Sequence, residues 1–408
     1  GTVIFEKSYG LANEETKQKL NLQTKFELAS VSKQFTAMGI VLLEKQGKLN
    51  YDDDISNYIP ELSFYDTISI RNLLNHTSGL PDYMDLFEEN WDKSKFVTNE
   101  DIVLEFAKHK PELLFLPNEQ FDYSNTGYAL LGLIIERASH LYFEQFLTKY
   151  IFEPLKMSNT FVYRSRFSPK TIDNYALGYV NDDHGKKCLT DSFGKEYYSY
   201  YLDGIVGDGM VNSTLEDLLK WDRALYSNSL VNEEDKNLIF SSGTLSNGEK
   251  TDYGFGWFIL ENAKYGKIVN HSGGWAGYTT YIERHLDMDK TIIFLQNNSI
   301  PSTKIPVKNV RKILYKEPIL HEKPIALKAK DLKKYVGVYS NEEFPVKLTI
   351  SIIDAALYAQ AEGQSAIPLE AFENHTFKFD PADITLIFTP EEGVLELLQG
   401  DKNLIFKR

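Results

Sequence analysis

The chain has 408 residues, of which 42% are hydrophobic, 13% aromatic and 25% charged, the composition of a soluble globular protein long enough for more than one domain. A formal net charge of −14, without any dense Lys/Arg block, argues against nucleic acid or an anionic membrane as partner. The single cysteine, Cys188, excludes an internal disulfide, and the eight histidines show no H-x-x-x-H or His/Cys ligand spacing, so neither a metal nor another cofactor is expected.

Gly1-Thr2-Val3-Ile4-Phe5 is already strand-like and lacks a methionine, so an upstream segment is expected. No run is long or apolar enough to span a membrane, and none has the form of a signal peptide. Residues 2–9 alternate as a strand, and 10–15 read as the turn after it. A long helix is expected from Ser30 to Gln46, where Val31, Phe35, Met38 and Leu42 recur at helical spacing. Ala37, Ile40, Val41 and Leu43 widen that surface until the helix should be buried nearly all round, with Gly47 as terminator.

Residues 51–204 read as mainly helix and loop. Ser213-Thr214-Leu215-Glu216 has the capping-box pattern and opens a helix through Trp221 and Leu225. Strand-like runs near 253–260, 266–271, 277–284 and 290–297 suggest an antiparallel meander, and 305–315 a closing helix. Tyr315 to Lys328, with Pro318, Pro324 and several lysines, reads as a linker region. Beyond it come short alternating runs at 336–339, 346–352, 356–361, 377–379, 386–389, 394–398 and 404–406. Turn signals fall about every ten residues, so 326–408 is expected to be a separate all-β sandwich or barrel.

Three short motifs carry chemistry. Ser30-Val31-Ser32-Lys33 places a hydroxyl and an amine one helical turn apart, on one face. A desolvated lysine can take a serine's proton there, and the first helical turn favours developing negative charge. Spacing alone is weak, because about one or two chance S-x-x-K matches are expected in a chain of this length. Ser192-Phe193-Gly194-Lys195 is one, but it has a glycine inside it and no apolar run behind it. The competing reading of Ser30 is an N-cap with Lys33 on the surface.

Tyr123-Ser124-Asn125 precedes the helix marked by Leu130, Leu131, Ile134 and Ile135. Tyr123 there could exchange protons and Asn125 could hold an amide. Tyr179-Val180-Asn181 also fits the pattern, and a packing tyrosine with a capping asparagine is the plainer reading. His271-Ser272-Gly273-Gly274 is expected to end the strand from Lys267. Its glycines would let backbone approach a ligand closely and leave an N–H free to pair with that of Ser30 in an oxyanion hole. A hairpin turn with a histidine at its edge is the alternative.

Taken together and in this order, the three motifs resemble those of the serine β-lactamase and penicillin-binding-protein superfamily. The resemblance is closest to the class C β-lactamase and D,D-peptidase branch, with S-x-x-K, Y-x-N and K/H-x-G. Leu73-Leu74-Asn75-His76-Thr77-Ser78-Gly79-Leu80-Pro81 and Gly207-Asp208-Gly209-Met210-Val211-Asn212-Ser213 also look like recurrent stretches of that branch. The resemblance implies an α+β fold, with an antiparallel sheet flanked by helices and a helical region (51–204) between its halves. It extends over a hydrolase domain at 1–318, followed by a linker at 319–325. Residues 326–408 resemble, more weakly, a lipocalin-like β-barrel appendage. The family normally has a helix and a strand before the point where this chain begins.

Carried over by residue, the resemblance implies Ser30 as nucleophile, Lys33 as the amine sharing its proton, and Tyr123 as second acid–base group. Asn125, His271 and Gly273 would bind substrate, and the N–H groups of Ser30 and Gly274 would form the oxyanion hole. The expected reaction is acyl transfer through an acyl-enzyme on a small-molecule or peptide substrate, with water or another acceptor releasing the acyl group. Many β-lactamases and carboxypeptidases carry lysine where this chain has His271, and a neutral imidazole meets a substrate carboxylate poorly. An ester or D-amino-acid-type amide is therefore expected ahead of a β-lactam. The alternatives are a penicillin-recognising sensor that acylates with little turnover, or a chain whose 326–408 segment restricts entry to the cleft. A Cys188–His thiol hydrolase has no supporting pattern. The family suggests an extracytoplasmic location, in the cell envelope or secreted, and leaves the oligomeric state open.

Overall fold

The computed structural model describes residues 1–299, 305–319, 323–341, 347–353, 356–361, 366–379, 384–399 and 402–408. The chain forms two compact units, residues 1–300 and 301–408.

In the first unit the apolar runs late in the sequence pair as a four-stranded antiparallel sheet. Its order is Lys290–Gln296, Tyr278–His285, Gly266–Trp275 and Phe258–Asn262. Each strand follows its neighbour in sequence, so the expected meander forms. A helix from Lys33 to Lys45 runs through the core, with every residue from Lys33 to Leu43 buried. Such burial needs partners for its polar side chains. Gln34 finds one in the Trp221 indole, whose N–H donates to Gln34 Oε1 at 3.0 Å. The Phe35 ring packs on Trp221 and Phe152, with centroids 4.6 and 5.5 Å away.

Gly47 ends this helix with φ +66°. Its N–H bonds to Glu44 O at 2.8 Å and that of Lys48 to Leu43 O at 3.0 Å, the two bonds of a Schellman cap. The helix Asn125–Ser139 packs beside it, and Gly39 sets the approach: a Cβ there would lie 2.7 Å from Ile135 Cδ1. The helix Leu215–Ala224 is tied to the sheet by a buried pair, Arg284 Nε donating to Asp222 Oδ1 at 2.7 Å. A small three-stranded sheet orders Phe26–Glu27, Val211–Ser213 and Phe161–Val162, and leads directly into the turn at Ser30.

Several expectations shift. The strand over residues 2–9 does not form; the first strand is Leu11–Asn13, paired with Gln18–Lys19. Alternation supplies a face, but a ladder needs a partner, and Val3, Ile4, Phe5 and Tyr9 remain 48%, 75%, 74% and 67% exposed. The cap of the helix at 215 is Thr214, not Ser213: its hydroxyl accepts from Asp217 N–H at 3.2 Å. The residue three after this cap is Asp217 rather than Glu216, and its carboxylate turns to Asn159 N–H and Lys220. His271-Ser272-Gly273-Gly274 does not end its strand, which continues to Trp275 with Gly273 opposite Thr280.

The second unit contains a helix at Val307–Leu314 and an eight-stranded antiparallel meander from Gly337–Tyr339 to Lys402–Lys407. Reciprocal backbone bonds between Ser340 and Lys407, each 2.8 Å, bring the first and last strands together, so the sheet is a nearly closed barrel. Its core packs Tyr335, Tyr339, Phe377, Phe388, Leu395 and Phe406. The strand Ile367–Phe372 was not expected, because Pro368 breaks the signal. Val346 in the expected run at 346–352, and residues 320–322 of the expected linker, lie outside the described residues.

Candidate active site

The turn that carries Ser30 is held from both sides. Leu28 N–H donates to Val211 O at 2.9 Å, and Leu28 O accepts from Thr280 Oγ1 at 2.6 Å. Ala29 takes the left-handed conformation, φ +49°, which costs an L-residue about 1–2 kcal/mol. Ser30 follows in a single 3-10 turn, Ala29–Ser32, that runs into the helix at Lys33. Gly273 makes this possible, since a Cβ there would sit 2.2 Å from both Leu28 O and Thr280 Oγ1. Gly273→Ala should therefore lower stability by about 1–3 kcal/mol and displace the Ser30 turn. Gly274→Ala, whose Cβ meets nothing within 4 Å, should stay near wild type in stability. Denaturant midpoints of the two variants check this, and equal midpoints would contradict it.

Lys33 is fully buried, and its Nζ donates to Ser30 Oγ at 3.1 Å, Asn125 Oδ1 at 3.0 Å and the Asp208 carbonyl at 2.9 Å. Three donors meet three acceptors. Asn125 begins its helix after the Ser124 cap, and its Nδ2 donates to Asp82 Oδ2 at 3.2 Å, one of its two amide protons. The Tyr123 ring lies 5.0 Å from Lys33 Nζ, between His76 and Phe258 at centroid distances of 4.3 and 6.2 Å. The Tyr123 hydroxyl is buried and has no hydrogen-bond partner among the described residues.

Ser30, Tyr123, Asn125 and Gly274 line one cavity of about 530 Å³. Lys33 stands behind Ser30 and does not line it. Neither do His271 or Gly273. His271 is 1% exposed, with Nδ1 2.6 Å from Ser272 O and Nε2 2.9 Å from Tyr253 OH. The carbonyl assigns the proton to Nδ1, so Nε2 accepts from the tyrosine. Burial, reinforced by the Lys33 charge, pushes the imidazole down to about 3, so it is neutral. The S-x-x-K decoy stays apart: Ser192 Oγ donates to Leu189 O in a separate 3-10 turn.

The two further stretches noted in the sequence have contacts that motif reading did not assign. His76 packs against Tyr123 with its ring tilted and accepts Ser124 N–H at Nδ1, 3.0 Å away. Burial holds it well below the usual histidine range. Asp208 supplies the carbonyl for Lys33, while its carboxylate accepts from Tyr83 OH at 2.8 Å. Burial raises the Asp208 carboxyl, and the Lys33 charge opposes that rise. Their place in recurrent stretches was the only available signal, and spacing does not reveal a packed ring or a carbonyl acceptor.

A family model described as Beta-lactamase matches residues 1–314. Penicillin-binding protein 4* of Bacillus subtilis (strain 168) is 41% identical over 388 residues, covering 93% of this chain and 85% of that protein. The octameric penicillin-binding protein homologue from Pyrococcus abyssi aligns with a TM-score of 0.69 at 25% identity, over 100% of this chain and 93% of that one. D-amino acid amidase from Ochrobactrum anthropi SV3, complexed with D-phenylalanine, aligns with a TM-score of 0.58 at 26% identity, over 72% and 82%.

Proposed function

The chain belongs to the beta-lactamase family, within the serine β-lactamase and penicillin-binding-protein superfamily, and is a serine hydrolase acting on amides or esters; on that premise we propose that Ser30 is its nucleophile. The observation that carries this reading is the buried Lys33 Nζ 3.1 Å from Ser30 Oγ, at the wall of a cavity shared with Tyr123. In the reacting form the Lys33–Tyr123 pair is one proton short, so that Ser30 Oγ can attack the substrate carbonyl while its proton passes to the pair. The carbonyl oxygen, now anionic, is held by the N–H groups of Ser30 and Gly274. Asn125 holds the substrate amide. The pair returns the proton to the departing amine or alcohol, and water then attacks the acyl-enzyme, giving the acid and free Ser30.

The charge of the site supports a substrate without a free carboxylate beside the reacting carbonyl. His271 is neutral and buried, and no Lys, Arg or His lines the cavity among the described residues. We therefore place D-amino-acid-type amides and simple esters ahead of β-lactams, a ranking the resemblance to a D-amino acid amidase also favours. Measured side by side, kcat/KM for p-nitrophenyl acetate and a D-amino-acid p-nitroanilide should exceed that for nitrocefin by at least about tenfold, a 1.4 kcal/mol difference in barrier. Nitrocefin as the fastest substrate would reverse the ranking.

A second reading is favoured by the 41% identity to a penicillin-binding protein: capture of penicillin as a long-lived acyl-enzyme. Stoichiometric labelling without turnover would select it. The same relationship supports an extracytoplasmic location. Among the described residues no helix is long and apolar enough to cross a membrane.

A further inference from the structure

Glu27 takes no part in the steps above, yet it lines the same cavity as Ser30, Tyr123 and Gly274. It ends the two-residue strand Phe26–Glu27, across from Asn212, three residues before the nucleophile. Glu27 is only 7% exposed, and no hydrogen bond or ion pair from a described residue reaches its carboxyl. Arg166, a cation whose charge favours the Glu27 anion, directs its nitrogens to Asp191, Asp203, Thr190 and the Ser199 carbonyl.

A buried carboxyl without a partner is costly to keep, and the cost falls when a cation arrives. Burial, then the Asp203 charge, push this one up to about 8 against a partial offset from Arg166. Its surroundings in the cavity suit an ammonium. Asp208 lines the wall as a second carboxyl, and Tyr83, Trp275 and Tyr278 add aromatic surface. We propose that the cavity accepts an acyl donor bearing a protonated amine, and that Glu27 is the carboxyl that receives it. The proposal rests on the hydrolase reading of the site and specifies its substrate.

The test uses the full chain and three chromogenic substrates: D-phenylalanine p-nitroanilide, its N-acetyl derivative, and p-nitrophenyl acetate. Wild type should favour the free amine over the acetylated anilide by at least about tenfold in kcat/KM, mainly through KM, as a charge-assisted contact requires. Glu27→Gln keeps the shape but cannot ionise when the ammonium arrives, and should bring that ratio close to one. A wild-type preference for the acetylated anilide, or a ratio that survives in Glu27→Gln, overturns the proposal. Should Glu27→Gln fail to fold, inhibition of wild-type p-nitrophenyl acetate hydrolysis decides. Phenethylammonium should then inhibit at least about tenfold more tightly than 2-phenylethanol, and equal inhibition overturns the proposal. Loss of the hydrolase reading looks different: p-nitrophenyl acetate would then show no turnover that depends on Ser30.

Discussion

Ser30→Ala is expected to lower kcat for ester and amide hydrolysis by at least about a thousandfold, as removing a nucleophile does elsewhere. The reason is local. Ser30 is held at the cavity wall by the strained Ala29 backbone and by the Leu28 bonds to Val211 and Thr280. Among the described residues, no other serine hydroxyl accepts from Lys33 Nζ. The loss should fall on kcat, because the cavity that holds the substrate is otherwise intact. The fold should tolerate the change, since only one of three Lys33 acceptors disappears. Steady-state kinetics with p-nitrophenyl acetate, beside a thermal unfolding curve, checks both halves. A stable Ser30→Ala variant retaining a tenth or more of wild-type kcat would remove Ser30 from the chemistry.

Lys33→Met should cost nearly as much activity and considerably more stability. Truncating the amine leaves Asn125 Oδ1 and the Asp208 carbonyl without their donor in a dry interior, at about 1–3 kcal/mol for each group left unpaired. It also removes the cation that opposes the rise of the Asp208 carboxyl. Turnover should fall by about 10²–10⁴, the usual contribution of a positioned proton acceptor. Lys33→Arg is the sharper comparison. A guanidinium keeps the charge and can donate to the same acceptors, but it cannot give up its proton at ordinary pH. Stability should therefore recover in part while kcat does not. Recovery of kcat in Lys33→Arg would show that Lys33 acts only as a fixed positive charge.

Much of this arrangement was legible in the sequence because its signals are local and periodic. The helix after Ser30, the four-strand meander and most barrel strands follow from apolar spacing. The loop at Tyr123 is marked by the helix behind it. Two of the three separated motifs meet at Lys33, whose Nζ touches Ser30 and Asn125 and lies over the Tyr123 ring, while the third packs behind the Ser30 turn through Gly273. What escaped depends on partners distant in the chain. Residues 2–9 alternate well but have no strand beside them among the described residues. His271 reads as a wall residue until Tyr253 and Ser272 occupy both ring nitrogens. Gly273 lies inside its strand through its pairing with Thr280, and the closeness of Leu28 O and Thr280 Oγ1 leaves no room for a side chain there, which no local pattern reveals. Glu27 sits in an ordinary strand sequence, and its burial at the cavity wall, under the charges of Asp203 and Arg166, is what sets it apart.

The most direct test of the proposed chemistry is to locate the covalent adduct. After incubation with a fluorophosphonate or a penicillin, intact mass and peptide mapping should show one adduct per chain, on the peptide containing Ser30, and none in Ser30→Ala. An adduct on another residue that also abolishes hydrolysis, or labelling of Ser30→Ala at the wild-type rate, would contradict Ser30 as the nucleophile.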